Sequence, residues 1–409
     1  MKKLVLVLTS LFFCFSLFAA PLNISDADYQ KMMDKSLTSM GNNYRIKKVI
    51  EKMRKGEEVY VAALGGSVTE GQGPESFRDG YAYKFNKKMA DAFALRREKI
   101  YFVNAGLCGT NSPLGLIRYQ KDVVEPNNHT PDLLLIEYAV NDIEEPTKQR
   151  AFEALIHDAL TASPDTAIIV VYSAALYPKT QKVMMPIADY YGVQQVSPSD
   201  AYDLGVAKGL LKNTDYFKDV VHPIATGHEI MADCITNLMV KIDEAPLDAK
   251  MEIPTKALKS PDFFGFKAIT GNSDDVKIVT GSFTGDDPNT QTLLKNGKPN
   301  FPQNWYHSAK SGTDSMYIEV ECKNFLLTYK EQGSWLSEKF GKVEIYVDGK
   351  KFADKGSTLF DGGKANGWNN CVTLMLIDKP TVEKHSIEIK MAKGFEKKGF
   401  TIVTMGYSK

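Results

Sequence analysis

Val59-Tyr60-Val61-Ala62-Ala63-Leu64 runs without a break into Gly65-Gly66-Ser67-Val68-Thr69-Glu70-Gly71. Six largely apolar residues followed by a glycine-rich turn read as a strand buried on both faces, the kind a parallel sheet uses. The same reading extends outward. Ile46, Val49, Ile50 and Met53 recur at helical spacing before the strand, and Gly56 stops that helix. Downstream, the pattern predicts helices over 81–96, 114–124, 145–162, 184–191 and 225–242. It predicts strands over 100–103, 133–138, 167–172 and 193–196. Repeated strand–helix units with continuous apolar strands argue for an α/β unit with a parallel sheet covered on both faces.

The character changes near Pro254. Residues 276–283, 316–329, 342–347, 386–391 and 401–407 alternate or are β-branched, and Asn, Asp and Gly punctuate them. That predicts a β-sandwich of jelly-roll type over 255–409. The polar stretch 244–254, with two prolines, reads as a linker, so the first globular unit is expected to span 21–250. Two units also suit the length: 409 residues exceed one ordinary domain of about 100–250. Charged residues make up 24%, which excludes wholesale disorder.

Residues 1–20 are set apart from the fold. Lys2 and Lys3 precede an apolar run, and Ala19-Ala20 closes it, the shape of a secretory signal peptide. A secreted or periplasmic chain with no membrane span in its mature form is expected. Balanced charge, 50 basic against 50 acidic residues, gives no electrostatic case for nucleic acid. Export permits disulfides, and Cys322 and Cys371 could pair or stay as buried thiols. No C-x-x-C or H-E-x-x-H pattern points to a metal, and nothing points to a cofactor.

Three successive strands deliver small or polar groups to one edge of the sheet: Ser67 after the first, Asn104-Ala105-Gly106 after the second, Asn141-Asp142 after the third. Open α/β sheets bind ligands at that edge. Asp219-Val220-Val221-His222-Pro223 then precedes the last helix. An Asp three residues before a His can accept from its Nδ1–H, leaving Nε2 to take a proton from a serine. The order Ser, Asp, His suits a hydrolase triad.

Four blocks, GGSVTEG with Ser67, NAGLCGT with Gly106, AVND with Asn141 and DVVHP with Asp219 and His222, resemble the SGNH/GDSL hydrolases over about residues 58–245. The resemblance implies a flavodoxin-like three-layer α/β/α fold. It implies a serine that attacks an ester, and an oxyanion hole made by the Ser67 and Gly106 N–H groups and the Asn141 side chain. Gly66 stands where the family has Asp, and Ala139 replaces its Gly. Both departures suggest a branch nearer the carbohydrate-acting members than the lipases.

The expected function is therefore a secreted serine esterase that removes acetyl or another small acyl group from a polysaccharide or oligosaccharide. A lipase or lysophospholipase is the alternative within the enzymes, and a non-catalytic glycan-binding protein the alternative outside them. Arg78 and Trp368 are candidate substrate contacts. The default reading of Arg78 with Asp79 is a surface ion pair, and that of Trp305, Trp335 and Trp368 is burial in the core of the β unit. His228, six residues after His222, reads as a surface or capping residue, and His129 and His157 as structural or solvated. Oligomeric state, sugar and acyl position are not legible.

Overall fold

A computed structural model describes residues 20, 22–287, 301–333, 339–364 and 370–409. The signal-peptide segment, except Ala20, lies outside the described residues, as do Trp335 and Trp368.

The first unit comprises α1 (Asp26–Lys35), β1 (Leu37–Ser39), α2 (Tyr44–Lys55), β2 (Val59–Gly65), α3 (Ser67–Glu70), α4 (Tyr81–Phe93), β3 (Ile100–Gly106), α5 (Ser112–Tyr119) and β4 (Leu133–Glu137). It continues with α6 (Arg150–Ala162), β5 (Ala167–Val171), α7 (Gln181–Tyr190), β6 (Gln194–Val196), α8 (Pro198–Ala207), α9 (Asn213–Tyr216) and α10 (Ala225–Glu244). The sheet order is β1-β6-β5-β4-β2-β3. Strands β2 to β6 are parallel, and β1 adds an antiparallel edge on β6. Every residue of β4 and β5 is buried, the condition that continuous apolar strands meet when helices cover both faces. Two apolar clusters, one on each side of the sheet, complete the α/β/α layering. The chain leaves β2 for β3 on one side and reaches β4 on the other. The β2/β4 crevice is thus the topological switch point, where open α/β sheets place ligands.

Helix α6 begins at Arg150, not at residue 145 as the periodicity suggested. The Glu145 carboxylate captures the Thr147 N–H and hydroxyl, each at 2.6 Å, and the Gln149 N–H. Lys148 and Gln149 are turned into positive φ, 54° and 69°, so the helix cannot start earlier. Residues 245–260 do not behave as a free linker. Asn43 and Asp248 exchange two 2.8 Å hydrogen bonds, and Arg45 reaches the Met251 carbonyl at 3.1 Å. The buried Glu153 carboxylate takes the N–H groups of Leu258, Lys259 and Ser260.

The second unit is all antiparallel: β7 (Lys267–Ile269), β8 (Val276–Val279), β9 (Trp305–His307), β10 (Met316–Glu331), β11 (Lys342–Val347), β12 (Lys350–Lys351), β13 (Phe360–Asp361), β14 (Asn370–Met391) and β15 (Phe400–Ser408). Strands β10 and β14 pair along almost their whole length. On β10 the inward residues are Met316, Ile318, Val320 and Cys322, then Phe325, Leu327 and Tyr329. A bulge between Cys322 and Asn324 shifts the phase by one residue and keeps the same face inward. Opposite it, residues 379–382 of β14 leave the ladder, and Pro380, which has no N–H to give, sits among them. The sheet folds back on itself: Phe360, paired to β11, lies 6.4 Å from Tyr329 at the far end of β10.

The other face of the second half of β10 packs on the α/β unit. Leu326, Cys371 and Val403 share a buried cluster with Leu114, Ile117 and Phe152. Arg150 also grips Asp378 bidentately, both bonds at 2.9 Å. Burial on both faces explains why β10 alternates in its first half and is continuously buried in its second. All four described cysteines are buried free thiols. Cys322 faces the β-unit core and Cys371 the interface between the units, so the possible pairing is corrected.

Candidate active site

Ser67 opens α3 where β2 ends, and its N–H is left unpaired by the helix it begins. Its Oγ lies 2.9 Å from His222 Nε2. His222 Nδ1 lies 2.7 Å from Asp219 Oδ2. The other Asp219 oxygen accepts the N–H groups of Val221 and His222, each at 2.8 Å. Partial burial works against the Asp219 charge, but those N–H groups and the imidazole outweigh it and hold the carboxyl below its usual range. A carboxylate can only accept, so Nδ1 carries the proton and Nε2 presents its lone pair to the serine hydroxyl. Ser67 and His222 are each only 5% exposed.

Buried contacts hold the nucleophile turn from behind. Arg118, itself buried, donates to the Gly65 carbonyl at 2.9 Å, and Asn104 Nδ2 donates to the Thr69 carbonyl at 2.9 Å. Thr69 Oγ1 contacts the Tyr81 hydroxyl at 2.8 Å and donates to Glu137 at 3.2 Å. Complete burial pushes the Glu137 carboxyl up to about 7. The departure at Gly66 has a steric reason. A Cβ there would lie 2.2 Å from Asn141 Oδ1, so an aspartate would displace the Asn141 amide that packs against Gly66.

Residues 63–230 match the sequence model of the GDSL-like Lipase/Acylhydrolase family. The chain carries a GDSL-like acylhydrolase domain. It is accordingly an acyl-ester hydrolase. No curated protein matches the sequence. Among solved structures, a two-domain esterase active on acetylated mannans is similar with a TM-score of 0.79 and 22% identity, over 92% of this chain and 99% of that one. Its co-crystal with mannopentaose is similar with a TM-score of 0.78 and 22% identity, over 92% of this chain and 98% of that one. The likeness is one of fold and extends through both units.

The structure corrects one expected oxyanion donor of the acylhydrolase domain. The Gly106 N–H is taken by the Asn104 side chain at 2.9 Å, and Gly106 faces a small cavity with Glu70, Arg118 and Pro126. Gly109, three residues on, lines a cavity of about 350 Å³ together with Asn141. Its N–H makes no hydrogen bond among the described residues. Its φ of +67° and the 2.3 Å that would separate a Cβ from Asn370 Oδ1 both require glycine. The signal was the second glycine of the same NAGLCGT block. The β unit closes this cavity with Asp354, Lys355, Asn370 and Thr373.

The remaining candidates fall elsewhere. Arg78 is exposed on a single 3₁₀ turn and does not line the Asn141 cavity. Asp79 lies 4.0 Å from Lys84, so the expected Arg78–Asp79 pair is corrected. Trp368 lies outside the described residues, two positions before Asn370. Trp305 is half-buried on β9. His228 is not a surface residue: it is wholly buried, accepting the Tyr81 N–H at Nδ1 and facing the Gln72 carbonyl with Nε2, both at 3.0 Å. His129 and His157 stack on Tyr60 and Phe264 as structural residues. No group of three or more His, Cys, Asp or Glu side chains is placed to hold a metal among the described residues. No described helix is long and apolar enough to cross a membrane.

Proposed function

We propose that this protein is an exported serine esterase that removes acetyl groups from a polysaccharide or oligosaccharide. The observation that carries the reading is the aligned Ser67–His222–Asp219 chain, at 2.9 and 2.7 Å. His222 takes the Ser67 proton as Oγ attacks the acetyl carbonyl, and Asp219 steadies the imidazolium that forms. The oxyanion is held by the N–H groups of Ser67 and Gly109 and by the Asn141 amide. The imidazolium of His222 then gives that proton to the ester oxygen of the sugar as the C–O bond breaks, so the sugar leaves with a free hydroxyl and the acetyl group stays on Ser67. Water, activated by the same imidazole, releases acetate and restores the serine.

Carbohydrate as the substrate class is supported by the polar lining that Asn111, Glu144, Asp354, Lys355 and Asn370 give the cavity beside Asn141. The similar esterase acts on acetylated mannans, so mannan stands first in a panel of acetylated polysaccharides. Acetate release from one member, lost in Ser67→Ala, is the expected result. A preference for long-chain esters would favour a lipase instead.

Asn141→Ala should lower kcat by about 10²–10³, the usual loss for one preorganised donor. KM should change far less, because the negative charge develops only in the transition state. A normal kcat with a raised KM would make Asn141 a ground-state substrate contact. Trp368→Ala should raise KM on the polymer by up to roughly tenfold, the scale of one aromatic contact, and leave p-nitrophenyl acetate hydrolysis unchanged. Equal effects on both substrates, with a lower Tm, would withdraw Trp368 from substrate binding.

A further inference from the structure

The two loops that supply the oxyanion donors come from different strands. Gly109 stands between β3 and α5, and Asn141 follows β4. Each loop is stiff by itself. The N–H groups of Asn141 and Asp142 both bond the Tyr138 carbonyl, at 2.9 and 3.0 Å. On the other loop the Thr110 hydroxyl donates to the Leu107 carbonyl at 2.7 Å, and the Asn111 side chain caps the Leu114 N–H at 3.3 Å. Neither set of bonds fixes one loop against the other.

A direct bond between the loops does. Ser112, the first residue of α5 and three beyond Gly109, donates its N–H to Asp142 Oδ1 at 2.8 Å. Asp142 is the neighbour of Asn141 and is only 2% exposed. Water does not compete for a bond so buried, and losing it leaves an unsatisfied N–H.

We propose that Asp142 is a positioning residue that sets the spacing between the Gly109 N–H and the Asn141 amide, and so builds the oxyanion site from two separate loops. This inference rests on the esterase reading above. Asp142 touches no reacting atom and acts only through its neighbours. Burial, with Glu145 nearby, pushes its carboxyl well above the usual range. An asparagine at this position presents the same carbonyl oxygen to the Ser112 N–H.

The test is steady-state kinetics on p-nitrophenyl acetate with the full chain. Asp142→Ala should lower kcat roughly 10- to 100-fold with KM nearly unchanged, the cost of a misplaced donor. Asp142→Asn should stay within about threefold of wild type. In an Asn141→Ala background, Asp142→Ala should cost less than about threefold, because the donor it positions is already gone. If Asp142→Ala does not fold, Ser112→Pro removes the N–H instead. Proline is tolerated at the first helical position, and Asn111 before it already holds the extended conformation that proline requires, φ −112° and ψ 176°. Ser112→Pro should reproduce the kcat loss.

An Asp142→Asn variant as impaired as Asp142→Ala would overturn the proposal. So would losses that multiply in the double mutant, or a lower Tm with normal kcat. Failure of the esterase reading itself would show separately, as full turnover in Ser67→Ala.

Discussion

Ser67→Ala is expected to lower kcat by on the order of 10⁴ or more, since the covalent route disappears with the hydroxyl. The expectation follows from the position of Oγ, 2.9 Å from the Nε2 of an imidazole whose other nitrogen, Nδ1, is held by the Asp219 carboxylate. The fold should survive. The turn is held by Arg118 on the Gly65 carbonyl and Asn104 on the Thr69 carbonyl, neither of which uses the hydroxyl. Circular dichroism and Tm should therefore match wild type while turnover collapses. Turnover retained at the wild-type level would remove Ser67 from the chemistry.

His222→Ala should abolish activity, and Asp219→Asn should be severe, because the amide cannot stabilise the imidazolium and supports the wrong tautomer. The Asp219 carboxyl is held below its usual range, which keeps the negative charge that this imidazolium needs.

His228 should behave differently. It is buried with its ordinary pKa pushed down to about 4 by desolvation, so it is neutral where the enzyme works. His228→Ala should leave most of kcat but lower Tm, since it strands the Tyr81 N–H and the Gln72 carbonyl. The buried, unpaired Tyr81 N–H costs about 1–3 kcal/mol, and the part-buried Gln72 carbonyl adds less. The pH dependence has a definite sign. The unfolded chain binds the His228 proton more readily than the folded one, so stability is lost as pH falls from about 6.5 towards 4. A variant pair in which His228→Ala is dead and His222→Ala is active would reverse the assignment.

Some of this was readable one residue at a time. Strands β2, β4 and β5 are buried on both faces, so their apolar runs are continuous and stand out from any helix. The Asp219–His222 pairing is equally local, because three residues along one turn suffice to close a 2.7 Å bond. Residues 386–391 were legible on β14, but the strand begins at Asn370. Asp378-Lys379-Pro380 looks like a terminator, and only pairing with β10 carries the strand past it through a bulge. The edge strand β1 is three residues long and exists only because β6 is there to pair with it.

The sharper division lies inside one seven-residue block. NAGLCGT contains two glycines, and nothing in their spacing says which N–H faces the cavity. The Asn104 side chain decides it by capturing Gly106, which leaves Gly109 beside Asn141. His228 is another such case: its neighbours in sequence suggest a helix surface, and its partners are 147 and 156 residues away. Periodicity and short spacing report what a residue does to its own strand or turn. The direction in which a particular N–H, imidazole or carboxyl points is set by groups that arrive from distant elements, and these exist only once the sheet and both units have packed.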